Sequence, residues 1–103
     1  MDKFLNYYVE KFKKLNRSLT AAGRAPHKPI LLLTVISWMS DHPSCENDFD
    51  KRSLSEYFAR IWTMLVVSAH KMDINVPFIH LKTEGFWHIK ENNHAYLDSW
   101  LFY

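Results

Sequence analysis

The sequence predicts an α+β fold, mainly α, in which three helices are followed by a β-hairpin in a winged-helix-like order. Three observations predict it. Apolar residues recur at spacings of three and four in several segments before residue 66, as helices require. From Val76 onward the pattern becomes extended and alternating, with Gly85 between two short runs. The 103 residues, 48% hydrophobic and 23% charged, suffice for one globular core.

The first helix is expected from Asp2 to about Thr20. Phe4, Leu5, Tyr8, Phe12, Leu15 and Leu19 share one face, and Lys3, Glu10, Lys13, Lys14 and Arg17 lie largely on the other. Asp2 suits its N-cap, Gly23 suits the position just past its end, and Pro26 follows. Pro29 suits the first turn of a second helix, about Pro29 to Ser40, where a missing N–H loses no partner. Ile30, Leu31, Leu32, Leu33, Val35, Ile36, Trp38 and Met39 make that helix apolar nearly all round, the mark of a central core helix.

Asp41 to Arg52, with Pro43, reads as a polar connection. Ser53-Leu54-Ser55-Glu56 fits a capping box that opens a third helix, with Leu54, Phe58, Ile61, Trp62 and Leu65 as its buried stripe. Its exposed positions, Ser55, Ala59, Arg60 and Thr63, are thin material for reading bases. Val76–Leu81 and Phe86–Lys90 are the expected hairpin strands, joined around Lys82–Gly85. Asn92-Asn93 makes another turn, and Asp98-Ser99 suits a further helix cap. Trp100-Leu101-Phe102-Tyr103 is strongly apolar. Either it packs inward, or the domain is incomplete at its C-terminus and continues into further helices.

Composition narrows the function. Two glycines exclude collagen-like and linker classes. Unbroken apolar runs such as Ile30–Leu33 reach only four residues, far short of the ~20 residues of a membrane span. The Met-Asp-Lys start lacks a signal-peptide core, so a cytoplasmic protein is expected. The net charge of +2 divides into +5 over residues 1–30 and −3 over the rest. Basic charge gathered on one segment suits a polyanion, although a solvated helix face has the same composition.

The densest chemical cluster is Arg24-Ala25-Pro26-His27-Lys28-Pro29. Its prolines stiffen a loop that presents basic side chains at a helix start, where phosphate is a natural ligand. The same block also reads as a helix-start loop whose His caps neighbouring carbonyls. Asn75-Val76-Pro77-Phe78 makes a small apolar surface or simply core.

The six histidines suggest a metal, with His80 facing His88 across the hairpin. No third ligand stands at a matching spacing, so neither a metal nor another cofactor is expected. Cys45 lies beside Glu46 and Asp48, which disfavours its thiolate. His94 follows Asn92-Asn93, but no ββα-metal nuclease pattern can be assembled around it. The chain itself is therefore not expected to be catalytic.

Gly23-Arg24-Ala25-Pro26-His27-Lys28-Pro29-Ile30-Leu31-Leu32-Leu33, then Pro77-Phe78-x-x-Leu81, then Gly85-Phe86-Trp87, resembles a family of bacterial sulfur-binding domains. These stand N-terminal to HNH restriction endonucleases of the McrA type and recognise phosphorothioate-modified DNA. The resemblance implies double-stranded DNA as partner and a nuclease domain elsewhere in the full-length protein. It further implies that Arg24, His27 and Lys28 contact the DNA, while Val76, Pro77 and Phe78 belong to an apolar pocket for sulfur. Val76 stands where many members have an aromatic. A second reading is a protein–protein or dimerisation module of winged-helix-like fold. Its motive is the 16% aromatic content and a homodimer built through the apolar C-terminus.

Overall fold

The computed structural model describes Leu19–Thr20 and residues 23–98, with side chains from residue 25 onward. The fold is α+β and mainly helical. Most of the expected Asp2–Thr20 helix, and the apolar C-terminus from residue 99, lie outside the described residues. The helix's expected last two residues are not helical. Leu19–Thr20 is a short strand, β1, paired antiparallel with β2, Gly23–Arg24. Thr20 and Gly23 are weak helix formers, and strand pairing outweighs the helical spacing that reaches Leu19.

Helix α1 spans His27–Asp41. It begins two residues before the expected start, because the Pro26 carbonyl already accepts the Ile30 N–H at 3.1 Å. Pro29 does lie in the first turn. Ile30, Leu31, Leu32 and Val35 are buried, and buried Thr34 returns its hydroxyl to the Ile30 carbonyl at 2.8 Å. The central core helix is thus as expected. At its end, the His42 N–H and Nδ1–H both donate to the Trp38 carbonyl, with the imidazole stacked on the indole at 3.8 Å.

The connection expected to be polar throughout hides a strand. β3, Phe49–Asp50, buries Phe49 and pairs with Ala95 and His94. Two residues carry no periodicity, so this strand exists only through its partner. Helix α2, Lys51–Leu65, follows at once. Its cap is Asp50, not Ser53. Asp50 has extended backbone angles, and its carboxylate accepts the Arg52 N–H at 3.1 Å and the Ser53 hydroxyl at 3.4 Å. Leu54, Phe58 and Trp62 are buried and Ile61 packs against them, but Leu65, the last helical residue, is exposed, and it is extended Val66 that packs against the core instead.

The largest correction concerns residues 76–81. Asn75–His80 is helix α3, continued by a 3₁₀ turn over Leu81–Glu84. A short apolar run does not by itself distinguish strand from helix. Local chemistry decides it here. Asp73 accepts the Asn75 N–H at 2.9 Å, the Phe78 N–H reaches the Ile74 carbonyl at 3.0 Å, and Pro77 sits where a missing N–H is harmless. Gly85, at φ 88°, ends the turn in the left-handed region, as its place in the sequence suggested.

The hairpin therefore lies one arm further along. β4, Trp87–Lys90, pairs with β5, His94–Leu97, in the register Trp87 to Leu97 and Lys90 to His94. Asn92 and Asn93 turn the chain at φ 60° and 62°, a conformation asparagine tolerates better than other residues with side chains. Asp98 pairs with His88 at 2.8 Å. His80, on α3, does not face His88 across the hairpin.

The sheet order is β3-β5-β4, all antiparallel. Phe49 and Phe78 pack against the buried Trp87 ring, and its indole N–H donates to the Phe78 carbonyl at 2.7 Å. The succession α1-β3-α2-α3-β4-β5 keeps the winged-helix-like order with different members. Among the described residues, three helices, α1, α2 and α3, precede the β4–β5 hairpin.

Candidate nucleic-acid interface

The His-Lys-Pro block opens α1, and its two polar side chains reach opposite ends of the α3 segment. His27 Nε2 donates to the Lys71 carbonyl at 2.7 Å, ahead of α3. Its ring packs on Trp62 at 4.7 Å, and its buried Nδ1 has no hydrogen-bond partner. Lys28 Nζ meets Glu84 Oε2 at 2.7 Å, just beyond α3, and the side chains are only 12% and 9% exposed. A charge pair this buried is held, because removing one member leaves the other's charge poorly compensated. His27 thus bonds a carbonyl 44 residues away rather than a neighbouring one, and Lys28 is ion-paired. Arg24 enters as backbone of β2, paired with Leu19.

What those contacts position is the start of α3. Pro77 and Phe78 are buried, Phe78 to 2% exposure, whereas Val76 is 42% exposed. The three residues expected in one pocket thus divide into two core residues and one surface residue. Ile79, 49% exposed, is a second apolar group on this short helix.

Lys51 is the functional candidate that sequence reading missed. From the start of α2, its ammonium donates to Asn75 Oδ1 and lies 5.9 Å from the Phe78 ring. A cation is thereby joined to the residue next to Val76. The Lys51-Arg52 pair was visible in the sequence. Its nearness to residue 75 was not, since 24 residues separate them.

The hairpin carries the other charge cluster. Asp48 contacts His94 Nδ1 at 2.6 Å and Lys90 Nζ at 3.2 Å. The His94 hydrogen bond, with help from Lys90, holds the Asp48 carboxyl below the usual carboxylate range. The Cys45 thiol is pushed up, as expected, but burial rather than its acidic neighbours is the main cause. Among the described residues, no group of three or more His, Cys, Asp or Glu side chains converges to hold a metal. No helix among them is long and apolar enough to cross a membrane.

Two comparisons bear on this surface. No curated protein matches the chain. The family model described as "ScoMcrA-like, DNA sulfur-binding domain" matches residues 6–101. That span contains the block that opens α1, the whole of α3 and the hairpin. The chain therefore belongs to the family of ScoMcrA-like DNA sulfur-binding domains, and it is a DNA-binding domain.

Proposed function

We propose that this domain selects phosphorothioate-modified duplex DNA with the face of α3 that carries Val76, as the recognition part of a restriction-type protein whose cutting domain lies elsewhere. The observation that carries this is the juxtaposition of Val76, apolar and 42% exposed, with the Lys51 ammonium bound to neighbouring Asn75. A phosphorothioate keeps its negative charge but replaces one non-bridging oxygen with sulfur, which is larger and less strongly hydrated. An apolar contact accepts that sulfur and penalises an oxygen stripped of water. A nearby cation answers the charge that remains.

On this reading Pro77 and Phe78 form the floor beneath Val76. His27 and Lys28 contribute through the segment they hold, and Arg24 through the DNA backbone. Backbone contacts set position and the Val76 face sets selectivity.

The test is fluorescence anisotropy on two matched short duplexes, one unmodified and one with a single stereodefined phosphorothioate, at two salt concentrations. Preference for the sulfur duplex at both salts is expected. Val76→Ser should bring the ratio of affinities toward one, and His27→Ala with Lys28→Ala should weaken both complexes. Equal, salt-sensitive binding of the two duplexes would overturn sulfur selectivity and leave a general DNA module.

The protein-interaction reading keeps one foothold. Met64, Leu65 and Val67, where the chain leaves α2, are 71%, 54% and 99% exposed. A salt-insensitive dimer in sedimentation, with no affinity for either duplex, would favour it.

A further inference from the structure

A cleft of about 430 Å³ lies between the start of α2 and the hairpin tip, lined by Asp50, Lys51, Arg52, Ser55, Asn92, Asn93 and His94. We propose that it is a second DNA contact, in which Arg52 takes a backbone phosphate and the Asn92 and Asn93 amides read a base edge. The inference rests on the reading above, that the domain seats a duplex beside Val76.

Continuity is the first argument. Lys51 lines the cleft and also binds Asn75, next to Val76. The two surfaces therefore meet at one side chain.

Charge is the second argument. Arg52 is exposed, and its guanidinium has no partner among the described residues. A planar fork of donors matches phosphate oxygens. The acid that lines the cleft, Asp50, and nearby Asp48 are already engaged. Asp50 caps α2 through the Arg52 N–H and the Ser53 hydroxyl, and Asp48 holds Lys90 and His94. Glu91, exposed beside the tip, disfavours a phosphate at the hairpin itself. This is why the amides, and not a phosphate contact, are assigned there.

The third argument is the choice of residue. Both tip positions have positive φ, where glycine is the default. Each is instead an exposed asparagine, and neither amide bonds to another described residue. An asparagine amide pairs in bidentate fashion with adenine N6 and N7 in the major groove, and its donor and acceptor also suit other base edges.

The test uses the whole chain and the same phosphorothioate duplex, with the base pairs flanking the modification varied. Arg52→Ala should lose about tenfold in affinity on every flanking sequence and lower the salt slope by about one. Asn92→Gly with Asn93→Gly keeps the turn, since glycine suits both φ values. This variant should keep the salt slope while flattening a flanking-sequence preference of about tenfold. Arg60→Ala, a cation lost further along α2, should change neither readout and so controls for net charge.

Wild-type behaviour in both cleft variants would overturn the second contact and leave the Val76 reading standing. Loss of sulfur selectivity in Val76→Ser with both cleft effects intact would support both proposals. Failure of the wild-type chain to bind any duplex would overturn both. Because Arg52 is exposed, its variant still decides the question if the hairpin variant fails to fold.

Discussion

The start of α1 and the hairpin use the same chemistry in different settings. In each, a lysine meets a carboxylate and a histidine meets an oxygen. At the start of α1 the Lys28–Glu84 pair is 12% and 9% exposed, and the ionic contact holds the chain beyond α3 in place. At the hairpin the Lys90–Asp48 pair is 46% and 36% exposed, where water screens it. The comparison teaches that a basic residue in a sequence is ambiguous until its burial is known. Lys28 looked like a ligand contact and is ion-paired inside the fold. Lys51, in a segment expected to be a connection, stands beside the exposed face of α3.

The sharpest way to break this comparison is to remove the buried cation. Lys28→Met should cost roughly 3 kcal/mol of stability in urea unfolding. A loss below about 1 kcal/mol would place it with exposed pairs and end its role as a clamp. Next is the tie between α3 and the sheet. Trp87→Phe removes the indole N–H from the Phe78 carbonyl and leaves space in the core, for an expected loss of about 2 kcal/mol by the same assay. Asp50→Ala tests whether the α2 cap is Asp50 or Ser53. About 1 kcal/mol should be lost, while Ser53→Ala should do less.

The smallest effect belongs to the hairpin. The folded-state pKa of Asp48 is depressed, so its contribution is fully present above the ordinary carboxylate pKa and is lost as pH falls through the lowered value. Wild-type protein should therefore lose more stability than Asp48→Asn as urea melts are taken from about pH 5 to pH 2. Parallel curves would show that the contact with His94 and Lys90 contributes nothing.

Elements with a long repeating pattern were legible. The apolar run from Ile30 marked the core helix, and Leu54, Phe58 and Trp62 marked the buried face of α2. Gly85 and the Asn92-Asn93 pair were recognised as turns, because positive φ restricts the residues that fit. Short elements were not legible. β3 has two residues, and the apolar run from Val76 suited a strand as well as the helix it forms. The capping box at Ser53 was a genuine local pattern, but Asp50 stood earlier with its carboxylate free to take the Arg52 N–H.

The sequence by itself determined the α+β class, the central helix, the turns and, through three short motifs, the resemblance that the family match later bore out. Those are properties of neighbouring residues, whose spacing and dihedral preferences act locally. Only the tertiary structure decided which polar groups are available. His27 and Lys28 find their partners 44 and 56 residues away, and Lys51 finds Asn75 at 24. Such distances along the chain leave no periodic trace. A charge becomes a clamp or a contact only when packing has set how much water surrounds it.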